Sequence, residues 1–307
     1  MSKRRRLFFL AALGAIGTAW SYSKRALQRW ENVELDEVEK PGRMAPVGGV
    51  DMHYVEAGSG PVLLLLHGLG ASTFSFRRLL PLLAPHMRAV AIDLKGFGFS
   101  ERPPDGDYSL SAHARAVRDF MDVMGIEKAS VLGHSLGGAV AMHVATAFPE
   151  RVERLILVSS ASQSEVGRGV FGARFLRLFL PLVAMLTLQN RRFRSLSLRS
   201  ALYDPASLTD EVMEGYIRPT RIRGHLHALG ELMVDRAKDP RIDPSAIRQP
   251  TLIIWGSGDR WLPPSNGRRL ERQIPDARMV VVDRAGHLVP EEQPEATAEA
   301  IIDFLKR

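Results

Sequence analysis

Gly133-His134-Ser135-Leu136-Gly137 sets a serine between two glycines, after an apolar run, Ala129 to Gly133, and before an amphipathic stretch, Leu136 to Ala147. A serine on so sharp a strand-to-helix bend is presented at a helix N-terminus, where the field favours developing negative charge. Gly133 and Gly137 are steric requirements of the bend, while Gly138 and Ala139 let the helix lie close to the preceding strand. The chemistry this points to is nucleophilic attack. A hydroxyl attacks only when a base takes its proton, so an imidazole and an orienting carboxylate are expected downstream.

Of nine histidines, His287 is the best placed base, because Ala285-Gly286-His287 follows a predicted strand, Arg278 to Val282, on a loop at its carboxyl end. His67 and His134 belong to tight turns beside the serine and read as loop-shaping residues, and His53, His86, His113 and His143 lack such placement. His225 and His227 lie in a helical stretch, where packing or surface roles compete with substrate contact. For the carboxylate, Asp259 in Trp255-Gly256-Ser257-Gly258-Asp259 follows the predicted strand Thr251 to Trp255. Its competitor Asp283 stands four residues before His287 and fits better as a cap or turn residue. The chain order Ser135, Asp259, His287 is one known order of a catalytic triad. An oxyanion needs two backbone N–H donors, expected from Leu136 and, in His67-Gly68-Leu69-Gly70, from Leu69. This chemistry calls for no metal and no organic cofactor.

Positioning these groups requires a parallel sheet. Strands are predicted at Met52 to Glu56, Val62 to His67, Ala89 to Asp93, Ala129 to Gly133, Leu155 to Ser159, Thr251 to Trp255 and Arg278 to Val282. A run such as Val62-Leu63-Leu64-Leu65-Leu66 is buried on both faces, which implies helices on each side. Helices fit at Ser72 to Leu83, Ser111 to Met124, Leu136 to Ala147, Ser265 to Gln273 and Pro294 to Lys306. The rhythm breaks over residues 162–240, a helical insertion rich in Leu, Phe and Arg, expected to cover the carboxyl edge of the sheet, where open α/β folds bind ligands. The core is then residues 47–161 and 241–307, and residues 23–46, aperiodic beyond Glu31 and interrupted by Pro41 and Gly42, read as a linker.

The formal charge of +7 is not spread over the chain: seven of the 41 bases precede the first acid, Glu31, and the remainder holds 34 bases against 34 acids. A neutral body does not suit nucleic acid. The seven bases flank the apolar run Leu7 to Trp20, whose fourteen residues would span about 21 Å as a helix, short of a hydrocarbon core of about 30 Å. Residues 1–22 therefore read as a membrane anchor extended through Tyr22, a cleavable export signal or an interfacial helix. Membrane association or export is the expected localisation. The absence of cysteine excludes thiolate catalysis, Cys-ligated metals and disulfides.

His67-Gly68-Leu69-Gly70, Asp93-Leu94-Lys95-Gly96-Phe97-Gly98-Phe99-Ser100, the bend at Ser135 and the turns at Asp259 and His287 together resemble the α/β-hydrolase superfamily, over nearly all of Val47 to Arg307. The resemblance implies an eight-stranded, mostly parallel sheet with helices on both faces, and a helical cap inserted after the sixth strand. Lys95 stands where relatives commonly carry Arg. Haloalkane dehalogenases and epoxide hydrolases of the superfamily use an Asp nucleophile, which Ser135 is not, even though Tyr203 and Tyr216 lie in the insertion as epoxide hydrolase tyrosines would. Carbon-carbon bond hydrolases keep a serine triad but have a longer, Gly-Pro-containing oxyanion turn. The resemblance is greatest to serine esterases and lipases, including membrane-anchored monoacylglycerol lipase-like enzymes, which implies small-molecule ester or lipid substrates. The apolar stretch Phe171, Phe175, Phe179, Leu180 and Leu182 to Leu188, with Arg168, Arg174, Arg177, Arg191, Arg192, Arg194 and Arg199 around it, fits an acyl pocket roof, a bilayer contact or a buried cap helix. Carbon-carbon bond hydrolysis with the same triad stays open as the first alternative, and a hydrolase-like fold without catalysis as the second; oligomeric state is not legible.

Overall fold

The computed structural model describes residues 28–161, 190–235 and 239–306, together with Arg25. Eight strands form one sheet: β1 Arg43–Val47, β2 Val50–Ala57, β3 Val62–Leu66, β4 Arg88–Ile92, β5 Ala129–His134, β6 Val152–Val158, β7 Thr251–Gly256 and β8 Ala277–Val282, in the order β1-β2-β4-β3-β5-β6-β7-β8. The hairpin β1–β2 and the pair β2–β4 are antiparallel, and every other pairing is parallel. The helices are α1 Leu80–Leu83, α2 Leu110–Val123, α3 Leu136–Ala147, α4 Arg191–Ala201, α5 Asp210–Ile217, α6 His225–Asp235, α7 Pro264–Gln273, α8 Val289–Glu292 and α9 Pro294–Leu305.

The continuous apolar strands have the burial their composition requires. In β3, Leu64 and Leu66 enter a core shared with Val117 and Phe120 of α2, Val140 and Val144 of α3 and Leu270 of α7. Leu63 and Leu65 enter the opposite one, with Leu80 and Leu83 of α1 and Ile301 and Phe304 of α9. Alternation at period two thus splits a uniformly hydrophobic strand between two cores, each buried Leu contributing about 2 kcal/mol of transfer free energy. A smaller core, with Leu202, Met213, Tyr216 and Ile217, underlies α4 and α5, and Leu288 from the His287 loop joins it.

Two expectations are corrected. The stretch read as a linker contains β1, which pairs with β2 from Arg43↔Tyr54 to Val47↔Val50. Upstream of it, Val33 bridges to Ile222 and the Glu31 carboxylate accepts the amides of Leu226, at 2.6 Å, and Gly224, at 3.3 Å. β1 escapes pattern reading because it is five residues long, contains Pro46 and lies at the sheet edge, where a missing N–H costs nothing. The single helix expected over Ser72 to Leu83 is a 3-10 turn, Thr73–Phe76, followed by the short α1, which carries Pro81 in its first turn. Among the described residues no helix is long and apolar enough to cross a membrane. The apolar run in residues 1–22 and the stretch Phe171 to Leu188 lie outside the described residues.

Candidate active site

Ser135 occupies the one-residue bend between β5 and α3 with φ 53° and ψ −116°, a conformation a non-glycine residue adopts only under constraint. The constraint is visible. Its N–H donates to the Val158 carbonyl of β6, and its carbonyl accepts from Gly138 and Ala161, all at 3.0 Å. A Cβ on Gly133 would strike the Gly137 carbonyl, and one on Gly137 the Leu66 carbonyl of β3, so both glycines permit the helix to leave the sheet at this angle.

His287 stands on the loop after β8, and its Nδ1–H donates to Asp259 Oδ2 at 2.9 Å. Both members of the pair are buried, His287 at 3% and Asp259 at 5% exposure. The other carboxylate oxygen, Oδ1, accepts the amides of Trp261 at 3.0 Å and Leu262 at 2.9 Å. Burial would raise the Asp259 pKa, but the bond from His287, its positive field and the Leu262 amide hold it below the ordinary carboxylate value. Asp283 takes no part: it is paired with Ser257 Oγ at 3.2 Å on an exposed turn. A carboxylate accepts only from a protonated Nδ1, which makes Nε2 the unprotonated nitrogen of a neutral His287 ring.

Ser135 and His287 line one cavity of about 570 Å³, together with Gly68, Leu69 and Gly70 and, from above, Phe193, Arg194 and Leu198 of α4 and Tyr216 and Ile217 of α5. A Cβ on Gly68 would come within 3.2 Å of the Ser135 Cβ, so the Gly68–Gly70 turn lies directly over the serine. His67 sets that turn: its Nδ1–H donates to the Gly68 carbonyl at 2.8 Å and its Nε2 accepts the Leu94 amide at 3.0 Å. One neutral tautomer satisfies both bonds, in keeping with a pKa that burial lowers. Leu136 is the first residue of α3, where backbone N–H groups have no partner within the helix. Leu69 and Leu136 thus flank Ser135 from two different elements.

The remaining histidines have structural surroundings. His134 donates from Nε2 to the His287 carbonyl at 2.9 Å, its rings lying 5.1 Å apart, and burial followed by the His287 field lowers its pKa to about 3. His225 packs edge-on against Phe97 at 5.7 Å, and His227 donates to the Pro104 carbonyl at 2.7 Å, so neither lines the cavity. Lys95 lies 5.5 Å over the Tyr108 ring and belongs to loop packing. Tyr216 reaches the cavity, with its hydroxyl 3.4 Å from Glu291, whereas Tyr203 is exposed. Among the described residues no three His, Asp or Glu side chains converge as metal ligands would.

Sequence reasoning missed Glu292. Its carboxylate accepts the amides of Gly286 at 2.6 Å, Tyr203 at 2.6 Å and Asp204 at 3.2 Å, while the His287 amide donates to Ala201 at 2.6 Å. These bonds tie the His287 loop to the end of α4. The only sequence signal is an acid five residues after His287, which nothing local distinguishes from Glu291.

A sharp serine bend on a parallel sheet, a buried imidazole–carboxylate pair from the last two strands and helices over the carboxyl edge agree with a family described as alpha/beta hydrolase fold, which matches residues 61–294. The chain belongs to this family. "Uncharacterized hydrolase YugF" of Bacillus subtilis is 30% identical over 278 residues, covering 88% of this chain and 100% of that protein. A 2-hydroxy-6-oxononadienedioate/2-hydroxy-6-oxononatrienedioate hydrolase of Comamonas testosteroni is 31% identical over 83% of this chain and 91% of its own length. Among solved structures, a serine hydrolase involved in carbazole degradation superposes with a TM-score of 0.73 and 26% identity, over 87% of this chain and 98% of that one. As a member of the alpha/beta hydrolase fold family, the chain is a hydrolase, and a small-molecule substrate is consistent with that assignment.

Proposed function

We propose that the protein is a serine hydrolase that cleaves carboxylic esters through an acyl-enzyme, and that its substrates are lipid-like or medium-chain acyl esters such as monoacylglycerols. The observation that carries this reading is one cavity shared by a strained serine and a histidine whose far nitrogen is bonded to a buried carboxylate. His287 Nε2 takes the proton of Ser135, whose oxygen attacks the ester carbonyl; the Leu69 and Leu136 amides hold the oxyanion; His287 returns the proton to the leaving alcohol. Water activated by the same imidazole then releases the acid. The walls above the serine include Leu69, Phe193, Leu198, Ile217, Leu262 and Leu288, an apolar surface suited to an acyl chain, beside the polar Arg194, Ser197 and Tyr216. Residues 1–22, basic at both ends and apolar between, attach the enzyme to a membrane in this reading.

A second reading, carbon-carbon bond hydrolysis with the same three residues, draws on the relatives named as oxo-dienoate hydrolases and on Arg194, a cation in the cavity wall that could meet a substrate carboxylate. The guanidinium of Arg194 is stacked 4.9 Å from the Trp30 ring, which favours a structural role for it. Turnover of a p-nitrophenyl ester series against 2-hydroxy-6-oxo-6-phenylhexa-2,4-dienoate separates the two. The ester reading expects rates that rise from acetate to medium-chain acyl groups, labelling by a fluorophosphonate, and loss of both in Ser135→Ala, with kcat falling about 10⁶-fold. Turnover of the dienoate alone would replace it with the second reading, and no labelling at all would leave a non-catalytic hydrolase fold.

A further inference from the structure

We propose that the cap face around α4 is a docking surface for an anionic lipid bilayer, which turns the mouth of the cavity towards the membrane. Of the seven large hydrophobic side chains exposed among the described residues, four lie here. Leu196 is 67% exposed on α4, and Phe193 on α4, Trp261 and Leu69 are each exposed by nearly half while lining the cavity. Beside them, a second cleft of about 530 Å³ between α4 and α5 is walled by Leu196, Leu208 and Met213 and carries Arg191, Arg192 and Arg199. Arg191 is paired with Asp210 at 2.7 Å, and Arg199 is held by Ser195 and the Pro205 carbonyl, so their guanidinium groups are fixed at the cleft. α4 itself carries four arginines and no acid, and Asp210, paired with Arg191, is the one acid among the described residues lining the cleft. Apolar side chains flanked by arginines match the boundary between acyl chains and anionic headgroups, where each base near the surface contributes about fivefold to affinity.

The amino-terminal segment leaves the body on this same side. Trp30 lies between the guanidinium groups of Arg194, at 4.9 Å, and Arg221, at 5.4 Å, and packs on the core beneath α4 and α5. From Trp30 back to Tyr22 the chain can reach at most about 28 Å. Insertion of an apolar run joined to Trp30 by so short a stretch of chain would bring the side of the body that carries Trp30 to the bilayer. This inference rests on the membrane attachment proposed above and not on the reaction.

The test uses the full chain, whose lack of cysteine permits clean single labelling. An environment-sensitive fluorophore is attached at Phe193→Cys, at Leu196→Cys and, as a control, at Val123→Cys, exposed at the end of α2 next to the opposite edge of the sheet. On phosphatidylglycerol vesicles, the labels at 193 and 196 are expected to shift to the blue. A lipid-borne nitroxide should quench them several-fold more than the label at 123. Water-like emission at 193 and 196 on a chain that co-sediments with vesicles would overturn the docking alone, and failure to co-sediment would overturn the attachment with it. A blue shift without vesicles would overturn it in favour of residues 162–189 or a second copy covering the face. Soluble-ester turnover by the unsubstituted chain reports on the hydrolase reading separately.

Discussion

Two hydrogen-bonded histidine–aspartate pairs are buried among the described residues, and the ring of one of them, His287, lines the cavity. His287 Nδ1 meets Asp259 at 2.9 Å, and His53 Nδ1 meets Asp93 at 2.7 Å. The second pair is wholly sealed: His53 Nε2 points at the Pro41 carbonyl, its backbone N–H is held by Ser100, and Asp93 also accepts the amides of Thr73 and Phe99. Both ring nitrogens are thus engaged, and His53 serves as a crosslink from β2 to the chain preceding β1. In the first pair the carboxylate satisfies one nitrogen, and the ring lies beside Ser135 on the cavity wall. A hydrogen-bonded His–Asp pair is thus a structural part by default; a base needs its second nitrogen left for a substrate.

Three substitutions test that contrast. Asp259→Asn reverses the hydrogen-bond demand at His287 Nδ1 and favours the wrong tautomer, so kcat per folded molecule for a soluble ester is expected to fall about 10⁴-fold. Asp283→Asn, on its exposed turn, should retain nearly all activity, and an equal loss there would move the carboxylate role. Asp93→Asn should do the opposite of Asp259→Asn. Breaking a buried, multiply bonded pair costs about 3–5 kcal/mol in urea unfolding, while kcat per folded molecule stays within a few-fold. A stable but inactive Asp93→Asn protein would erase the distinction between the two pairs.

The smallest effect concerns histidines that belong to neither pair. Burial lowers the pKa of His113 and His225, like that of His134, from 6.5 to about 3. A base whose folded pKa is depressed contributes its full stability above 6.5. That contribution is lost as pH falls towards 3, because only the unfolded chain takes up the proton. The slope is about 1.4 kcal/mol per pH unit for each histidine. His113, on α2 among Phe97 and Tyr108, has no hydrogen-bond partner on either ring nitrogen among the described residues. His113→Leu should therefore flatten the decline of the urea midpoint between about pH 6 and pH 5 by one such increment. An unchanged slope would show that His113 is already charged or exposed in the native protein.

The serine bend was legible because its requirement is local: glycine spacing, an apolar strand before and a helix after all act within about twenty residues of Ser135. Asp259 and His287 were found by analogy of place, each following a strand of continuous β-branched or apolar residues. Glu292 and the His53–Asp93 crosslink escaped, because their partners lie on other elements. Gly286, Tyr203 and Asp204 are brought to one carboxylate by the meeting of cap and core, and Pro41 reaches His53 only because β1 folds back on β2.

By itself, the sequence determined the alternation of strands and helices, the position of the strained serine and the separation of a basic amino terminus from a neutral body. These follow from side-chain period, glycine sterics and charge, which need no knowledge of what lies across the fold. Tertiary structure alone decided which imidazole keeps a nitrogen open to the cavity, which carboxylate orients it and where the amino-terminal chain meets the cap. Hydrogen-bond satisfaction and burial are set by neighbours in space, and residues as distant in sequence as Trp30 and Arg221 become neighbours only when the sheet and its cap are assembled.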